Sequence, residues 1–227
     1  MKVLQVSKFY PPVMGGIEAV SWELAEGLNR AGVTTDVLCS DQRRWGRRGR
    51  EAAGYEVCRA GRWGMLLSTS IAPAMAWHLA RMARDAQIVH VHMPDPMAAA
   101  AVWAARPRAR LVLHWHSDVI RQRRALKLYE PLQQWLLARA DAIIATSPPY
   151  AASSAPLRAW RDKVSVVPIG ISDNHSTACS IKAAAIRRLH HGRRIVFALG
   201  RMTYYKGFDV LVDAAAALSN DCAVLVG

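Results

Sequence analysis

Two cations stand close together near the end of the chain, in Gly200-Arg201-Met202-Thr203-Tyr204-Tyr205-Lys206-Gly207. The apolar run before them, residues 195–199, reads as a strand, and the residues after Gly207 read as a helix. Arg201 and Lys206 then sit at the carboxyl end of a strand beside a helix N-terminus, where open α/β sheets bind anions. Two fixed positive charges at such a place suit a diphosphate. A second constellation is the pair of doublets His90-Val91-His92 and His114-Trp115-His116. Spacing of i, i+2 puts each doublet on one strand face. Four imidazoles in reach of one another would be a metal site only with a convergent ligand set. Neither a carboxylate nor a cysteine cluster accompanies them, apart from Asp95 and Asp118, so no metal is expected. One histidine that orients substrate or moves a proton, with the others packed or hydrogen-bonded, fits better. His116-Ser117-Asp118 is the choice, because it ends its strand and turns into a polar, basic loop.

Two turns complete the candidate set. Gly15-Gly16 joins the first strand to the first helix, where it is either a tight turn or a place for backbone N–H groups to meet a ligand. It is not a G-x-G-x-x-G fingerprint, which counts against a nicotinamide dinucleotide. Val164 to Gly170 runs from a strand into a Pro168/Gly170 turn, either an ordinary strand end or the rim of a cleft between domains.

The elements that must hold these residues alternate strand and helix, the pattern of a parallel sheet covered on both faces. Strands are expected at 3–7, 34–39, 55–60, 88–92, 111–116, 142–146 and 164–168, and helices at 17–31, 73–84, 96–105 and 126–138. After residue 171 the texture turns polar, with a short helix at 181–189; then 194–199, 207–218 and 223–226 form one more strand-helix-strand unit. Residues 1–172 therefore read as a first domain, 173–192 as a linker, and 193–227 as the beginning of a second domain too short to bury its own core.

Composition bounds the rest. The 227 residues are 52% hydrophobic and 21% charged, which is globular, and no apolar run is long enough to cross a bilayer. The polar N-terminus reads as a strand rather than a secretory signal, so a cytoplasmic site is expected. Cys39, Cys58, Cys179 and Cys222 are scattered, the pattern of reduced thiols. A net charge of +13 draws the chain to anions. Arg43, Arg44, Arg47, Arg48 and Arg50 crowd one segment, and Arg121, Arg123, Arg124 and Lys127 another. Neither cluster interleaves base-stacking aromatics, so nucleic acid is not expected. Trp45, Trp63 and Met65-Leu66-Leu67 beside the first cluster would suit an anionic lipid surface.

Taken in order, Gly15-Gly16-Ile17-Glu18, His90-Val-His92, His114-Trp-His116-Ser117, Val167-Pro168-Ile-Gly170 and Gly200-Arg201-x4-Lys206-Gly207 resemble the motifs of the GT-B glycosyltransferases of retaining family 4. The resemblance implies two Rossmann-like domains and transfer of a hexose from a UDP- or GDP-sugar to a glycan or polyprenyl-diphosphate-linked acceptor, in bacterial cell-surface polysaccharide or lipopolysaccharide assembly. It implies a donor diphosphate clamped by Arg201 and Lys206 without a required metal, and His116 near the transferred sugar. Gly15, Gly16, Ser117, Asp118 and Gly170 would line the substrates. The family also carries a paired-glutamate motif later in its second domain, which this sequence lacks. The expectation is therefore of a truncated chain, inactive alone; the alternative is a non-catalytic binding or partner domain of a split enzyme.

Overall fold

The computed structural model describes residues 1–119, 123–170, 178–200, 202–219 and 221–227, and divides the chain into two units, Met1–Gly170 and Ile171–Gly227. In the first unit the strands are β1 (Lys2–Val6), β2 (Thr34–Ser40), β3 (Arg47–Arg50), β4 (Glu56–Ala60), β5 (Gly64–Leu66), β6 (Thr69–Ile71), β7 (Ile88–Met93), β8 (Arg110–Trp115), β9 (Ala142–Ala145) and β10 (Val164–Val166). Its helices are α1 (Gly16–Arg30), α2 (Ala74–Met82), α3 (Pro96–Ala105), α4 (Arg123–Arg139) and α5 (Pro148–Ser153). The second unit carries α6 (Ala178–Leu189), β11 (Arg194–Ala198), a 3-10 turn at Tyr204–Lys206, α7 (Phe208–Ala215) and β12 (Cys222–Val226).

One sheet of eight strands organises the first unit, in the order β10-β9-β8-β7-β1-β2-β4-β3. Every pairing is parallel except β3 with β4. The chain runs outward from β1 through β2 to β4, then returns to lay β7 on the other side of β1 and continues to β10. That reversal makes the β1–β7 boundary the switch point of the sheet, and ligands of such folds bind outside the carboxyl ends of the strands there.

Alternation along the strands gives the sheet two unlike faces. Leu4 and Val6, Val89, Val91 and Met93, and Leu111, Leu113 and Trp115 point into one apolar core with Met75 and Leu79 of α2, Ala98 to Val102 of α3, and Leu136 and Leu137 of α4. Burial of this continuous face is what fixes register, because a one-residue slip would turn all of it outward. On the opposite face Ala25 of α1 packs with Val37, Cys39, Tyr55 and Val57. Further along that same face the row is polar: Gln5, which pairs His90 across β1–β7, and then the four histidines.

The sequence reading differs from the structure at an edge strand and at a hairpin. The arginine-rich segment holds β3, an antiparallel edge strand in which Arg48 pairs Glu56 at 3.2 Å, while Arg47 pairs Asp41 at 3.0 Å. A charged edge resists pairing with other chains, which is a structural reason for arginines there. Residues 64–71 form the β5–β6 hairpin, held by a hydrogen bond from Lys8 Nζ to the Ser68 carbonyl. Within the stretch read as a linker, 173–192, the short helix expected at 181–189 is present as α6, starting at Ala178; residues 171–177 lie outside the described residues. Trp22, Trp77 and Trp103 are 40%, 59% and 50% exposed. Three of the cysteines are seen as free thiols, Cys39, Cys58 and Cys222, and burial pushes Cys39 up to about 12.

Candidate functional site

Strand parity and register build the histidine cluster. β7 and β8 run parallel with His92 opposite His114, so His90, His92, His114 and His116 share the face away from the apolar core. Adjacent rings stack: His114 and His116 centroids are 4.2 Å apart, His92 and His116 5.1 Å, His92 and His114 5.2 Å. His90, His92 and His114 are 7%, 1% and 4% exposed. Burial, the dominant cause, lowers all four: His90 and His116 to about 3, His114 to about 4, and His92 well below the ordinary value. At neutral pH the row is a set of uncharged imidazoles. One hydrogen bond ties them, between His92 Nδ1 and His116 Nε2 at 2.8 Å. Nε2 of His90, Nε2 of His92 and both nitrogens of His114 are buried without a hydrogen-bond partner.

His90, His92 and His114 offer nitrogens within 4.8 Å of one another, a donor set of the kind borderline ions such as zinc accept. Their ring planes are nearly parallel, 8° between His90 and His114 and 25° between His92 and His114, so the rings stack rather than converge on a point. Among the described residues neither a carboxylate nor a cysteine joins that group.

The loop after β8 is tied down by Asp118. Its Oδ1 accepts from Trp115 Nε1, Tyr150 Oη and Ser154 Oγ, each at 2.8 Å. The carboxylate knots the end of β8 to α5, and this fixes His116 and Ser117 between an anchored strand and an anchored loop. Asp118, expected to line the substrates, commits one of its oxygens to three protein donors, which sequence spacing could not reveal because Tyr150 and Ser154 lie far along the chain.

The glycine turn is held from the side. Tyr10, 1% exposed, meets Tyr55 hydroxyl to hydroxyl at 2.6 Å, and Tyr55 donates on to Glu26 at 2.9 Å. Burial raises both phenols far above the usual range. Arg59 donates to the Pro11 carbonyl at 2.8 Å. Neither Gly15 nor Gly16 has a left-handed backbone; Gly15 is extended, at φ 176. A Cβ at Gly15 would meet only the flexible end of Glu18, whose carboxylate folds back over the start of α1.

Around the switch point lies a cavity of about 400 Å³ lined by Lys8 after β1, Pro94 and Pro96 after β7, Val119 after β8, Leu66, Leu67 and Ile71 of the hairpin region, and Tyr129 of α4. It is mostly apolar with a few polar groups, as ligand sites are. Asp95 caps α3 through Oδ1, accepting from the Met97 N–H at 3.0 Å, while its Oδ2 is buried and unpartnered. Burial raises Asp95 to about 6. The Tyr129 hydroxyl is likewise buried without a partner. No sequence signal marked Asp95, Tyr129 or Lys8 as a group. A larger hollow, about 760 Å³, lies at the amino ends of the same strands, lined by Met1, Gln87, Ile88 and Arg110 among others. The strand-end rule favours the smaller one, which also sits beside the unpartnered polar atoms.

In the second unit β11 pairs in parallel with β12. Lys206 closes the 3-10 turn after β11, and its side chain lies over Gly200, Cε 3.6 Å from where a Cβ would stand. Gly207, at φ 64, makes the left-handed step that starts α7, a conformation glycine adopts without strain. Lys206 is thus at the carboxyl end of a strand beside a helix start, as its motif implied. Arg201 lies outside the described residues. Gly170 ends the first unit as an exposed residue.

Comparison with known proteins is consistent with this layout. Residues 15–170 match the model of the glycosyl transferase 4-like domain. The chain is 36% identical over 220 residues to the O-antigen chain mannosyltransferase C of Escherichia coli, covering 95% of this chain and 58% of that protein. It is 33% identical over 226 residues to the D-rhamnosyltransferase WbpZ of Pseudomonas aeruginosa, covering 94% and 56%. The chain thus spans less than three fifths of the curated relatives it matches. Among solved structures, sucrose-phosphate synthase of Thermosynechococcus elongatus superposes with a TM-score of 0.73 at 18% identity, over 99% of this chain and 61% of that one. Anabaena HepE in complex with UDP-glucose gives 0.69 at 17% identity, over 100% and 60%. These neighbours share the Rossmann-like GT-B architecture. With more than half of its residues matched, this chain belongs to the glycosyl transferase 4-like family.

Proposed function

We propose that this chain serves a glycosyltransferase that moves a hexose, with retention, from a UDP- or GDP-sugar to a glycan or lipid-linked acceptor in cell-surface polysaccharide assembly. The observation that carries the reading is His116, hydrogen-bonded to His92 at the carboxyl end of β8, in a chain matched to this family over residues 15–170. The mannosyl- and rhamnosyltransferase relatives support the pathway, and the UDP-glucose bound to HepE supports the donor class.

In this reading Arg201 and Lys206 bind the donor diphosphate. As the sugar departs, negative charge grows on the leaving phosphate, and preorganised cations stabilise it more than they stabilise the ground state. No metal is needed for that step. His116 and Ser117 meet sugar oxygens, the Gly15–Gly16 turn offers backbone N–H groups, Gly170 shapes the edge of the first unit, and Asp118 keeps its loop in place. The exposed Trp63, Met65, Leu66 and Leu67, beside arginines, support contact with an anionic lipid surface. No helix among the described residues is long and apolar enough to cross a membrane.

Calorimetric titration of the chain with UDP and with GDP tests the clamp. One of the two should bind, and Arg201→Ala or Lys206→Ala should weaken it by roughly 10- to 100-fold, the value of a hydrogen bond to a charged group. Equal binding by both variants and the parent would remove the clamp.

A further inference from the structure

A neutral imidazole carries one N–H and one bare nitrogen, and which is which follows from its neighbours. His92 and His116 share a 2.8 Å contact between Nδ1 and Nε2, so one hydrogen lies between those atoms. Two arrangements satisfy it. If His116 Nε2 donates, His92 carries its own hydrogen on Nε2, which is buried and has no acceptor. If His92 Nδ1 donates, the orphan at His92 Nε2 is a bare lone pair. Among backbone groups orphaned buried N–H donors are rarer than under-satisfied acceptors, and the same ordering is applied to these rings. His92 therefore donates, His116 Nε2 accepts, and the hydrogen of His116 is left on Nδ1. Among the described residues no hydrogen bond engages that Nδ1.

We propose that His92 is a positioning residue that fixes His116 as its Nδ1–H tautomer, so that His116 meets its ligand as an uncharged hydrogen-bond donor to an oxygen, such as a sugar hydroxyl or a phosphoryl oxygen, and not as a base. The geometry adds two supports. His92 is 1% exposed and stacks on both His114 and His116, so its ring has little freedom to turn. The Asp118 knot holds the far side of the His116 loop. Burial keeps His116 from taking a second proton until about 3, well below neutral pH. That the oxygen belongs to a sugar donor or acceptor rests on the function proposed above; the tautomer does not.

Long-range proton–nitrogen NMR of the chain labelled with ¹⁵N-histidine at neutral pH reads the tautomer directly. His116 should show a protonated Nδ1 and a bare Nε2 as its majority form. His92→Phe keeps the ring and its burial but removes the donor, and should return His116 to a majority of Nε2–H. His92→Asn, whose amide N–H stands near the old Nδ1 position, should restore the parent pattern. A parent spectrum with the hydrogen on Nε2 of His116 overturns the proposal even where a variant does not fold, and so does a His116 spectrum unmoved by His92→Phe. Adding a UDP- or GDP-sugar separates the two claims: a correct tautomer whose His116 signals stay fixed at saturating ligand leaves the positioning standing and sinks the sugar contact.

Discussion

Lowering the pH from 7 to 5 should destabilise the first unit far more than surface carboxylates would. His90 and His114 are buried and titrate at about 3 and about 4 in the fold, against about 6.5 in an unfolded chain. Because the folded values are depressed, these groups contribute stability that is present above 6.5 and lost as pH falls toward the folded values. At pH 5 the unfolded chain has bound a proton at each site and the fold has not, which favours unfolding by about 2 kcal/mol per histidine. Asp95 has the opposite sign. Raised to about 6 by burial, it takes up a proton in the fold between pH 7 and 5 and returns about 1 kcal/mol. Two histidines less Asp95 leave a loss of about 3 kcal/mol, and His92 adds to it in the same direction. That is a large share of the roughly 5–15 kcal/mol a domain has. Urea unfolding followed by tryptophan emission at pH 7 and pH 5, at fixed ionic strength, measures it. His114→Leu is the discriminating variant, since both nitrogens of His114 are orphans. It should be neutral or stabilising at pH 7 and should shrink the pH 7-to-5 difference by about 2 kcal/mol. A parent difference below about 1 kcal/mol, or one that His114→Leu leaves unchanged, refutes the reasoning.

Two further outcomes follow from packing and exposure. A Cβ on Gly61 would stand 2.2 Å from the Arg44 carbonyl oxygen and 2.8 Å from the Gly46 nitrogen. Gly61→Ala should therefore cost about 1–3 kcal/mol by backbone displacement. Gly64→Ala, which meets nothing within 4 Å, should fall within about 0.5 kcal/mol of the parent in the same denaturation assay. The hairpin supplies the other: Leu66→Ser with Trp63→Ser should reduce co-sedimentation with phosphatidylglycerol vesicles severalfold, while phosphatidylcholine vesicles recover little of either protein. Binding indifferent to both lipid charge and the substitutions would remove the membrane contact.

Much of this arrangement is legible in the sequence, and the reasons are local. α3 is expected at 96–105 and spans Pro96–Ala105, because Asp95 caps it and Pro96 opens it. The expected and observed starts of α1 differ by one residue, with Gly32 closing it at φ 80. The shared face of the four histidines follows from i, i+2 spacing alone once β7 and β8 are neighbours. What spacing could not supply is partnership across distance. The three donors to Asp118, the Tyr10–Tyr55–Glu26 chain and the pairing of Asp95 with the cavity near Tyr129 all join residues from separate elements. β3 was hidden by its arginines, which lack the apolar alternation that marks a strand. The β5–β6 hairpin was hidden because Leu67 and Ser68 turn it with positive φ, at 46 and 66, where Gly or Asn would have signalled a turn.

The two faces of one sheet show where stability and binding part company. On one face, alternate residues of β1, β7 and β8 are aliphatic or Trp115, and they bury fully. On the other, the same strands place Gln5 and four imidazoles where Val or Leu would satisfy the fold better. Gln5 recovers part of the cost through its 2.7 Å bond to Ser21, and His92 and His116 recover part through each other. His114 recovers none through hydrogen bonding. Each buried orphan costs about 1–3 kcal/mol, so a sequence shaped by packing alone would lose these groups. Sites that break the local rule without compensation are the ones that serve a ligand. The break is graded, too: His90, His92 and His114 are buried, and His116 at the strand end is half-buried. With the tautomer proposed above, the stacked row ends in the Nδ1–H of His116, a rigid donor at the strand end. Such rigidity suits recognition of a sugar oxygen, because the orienting cost is met when the protein folds and not when the ligand arrives.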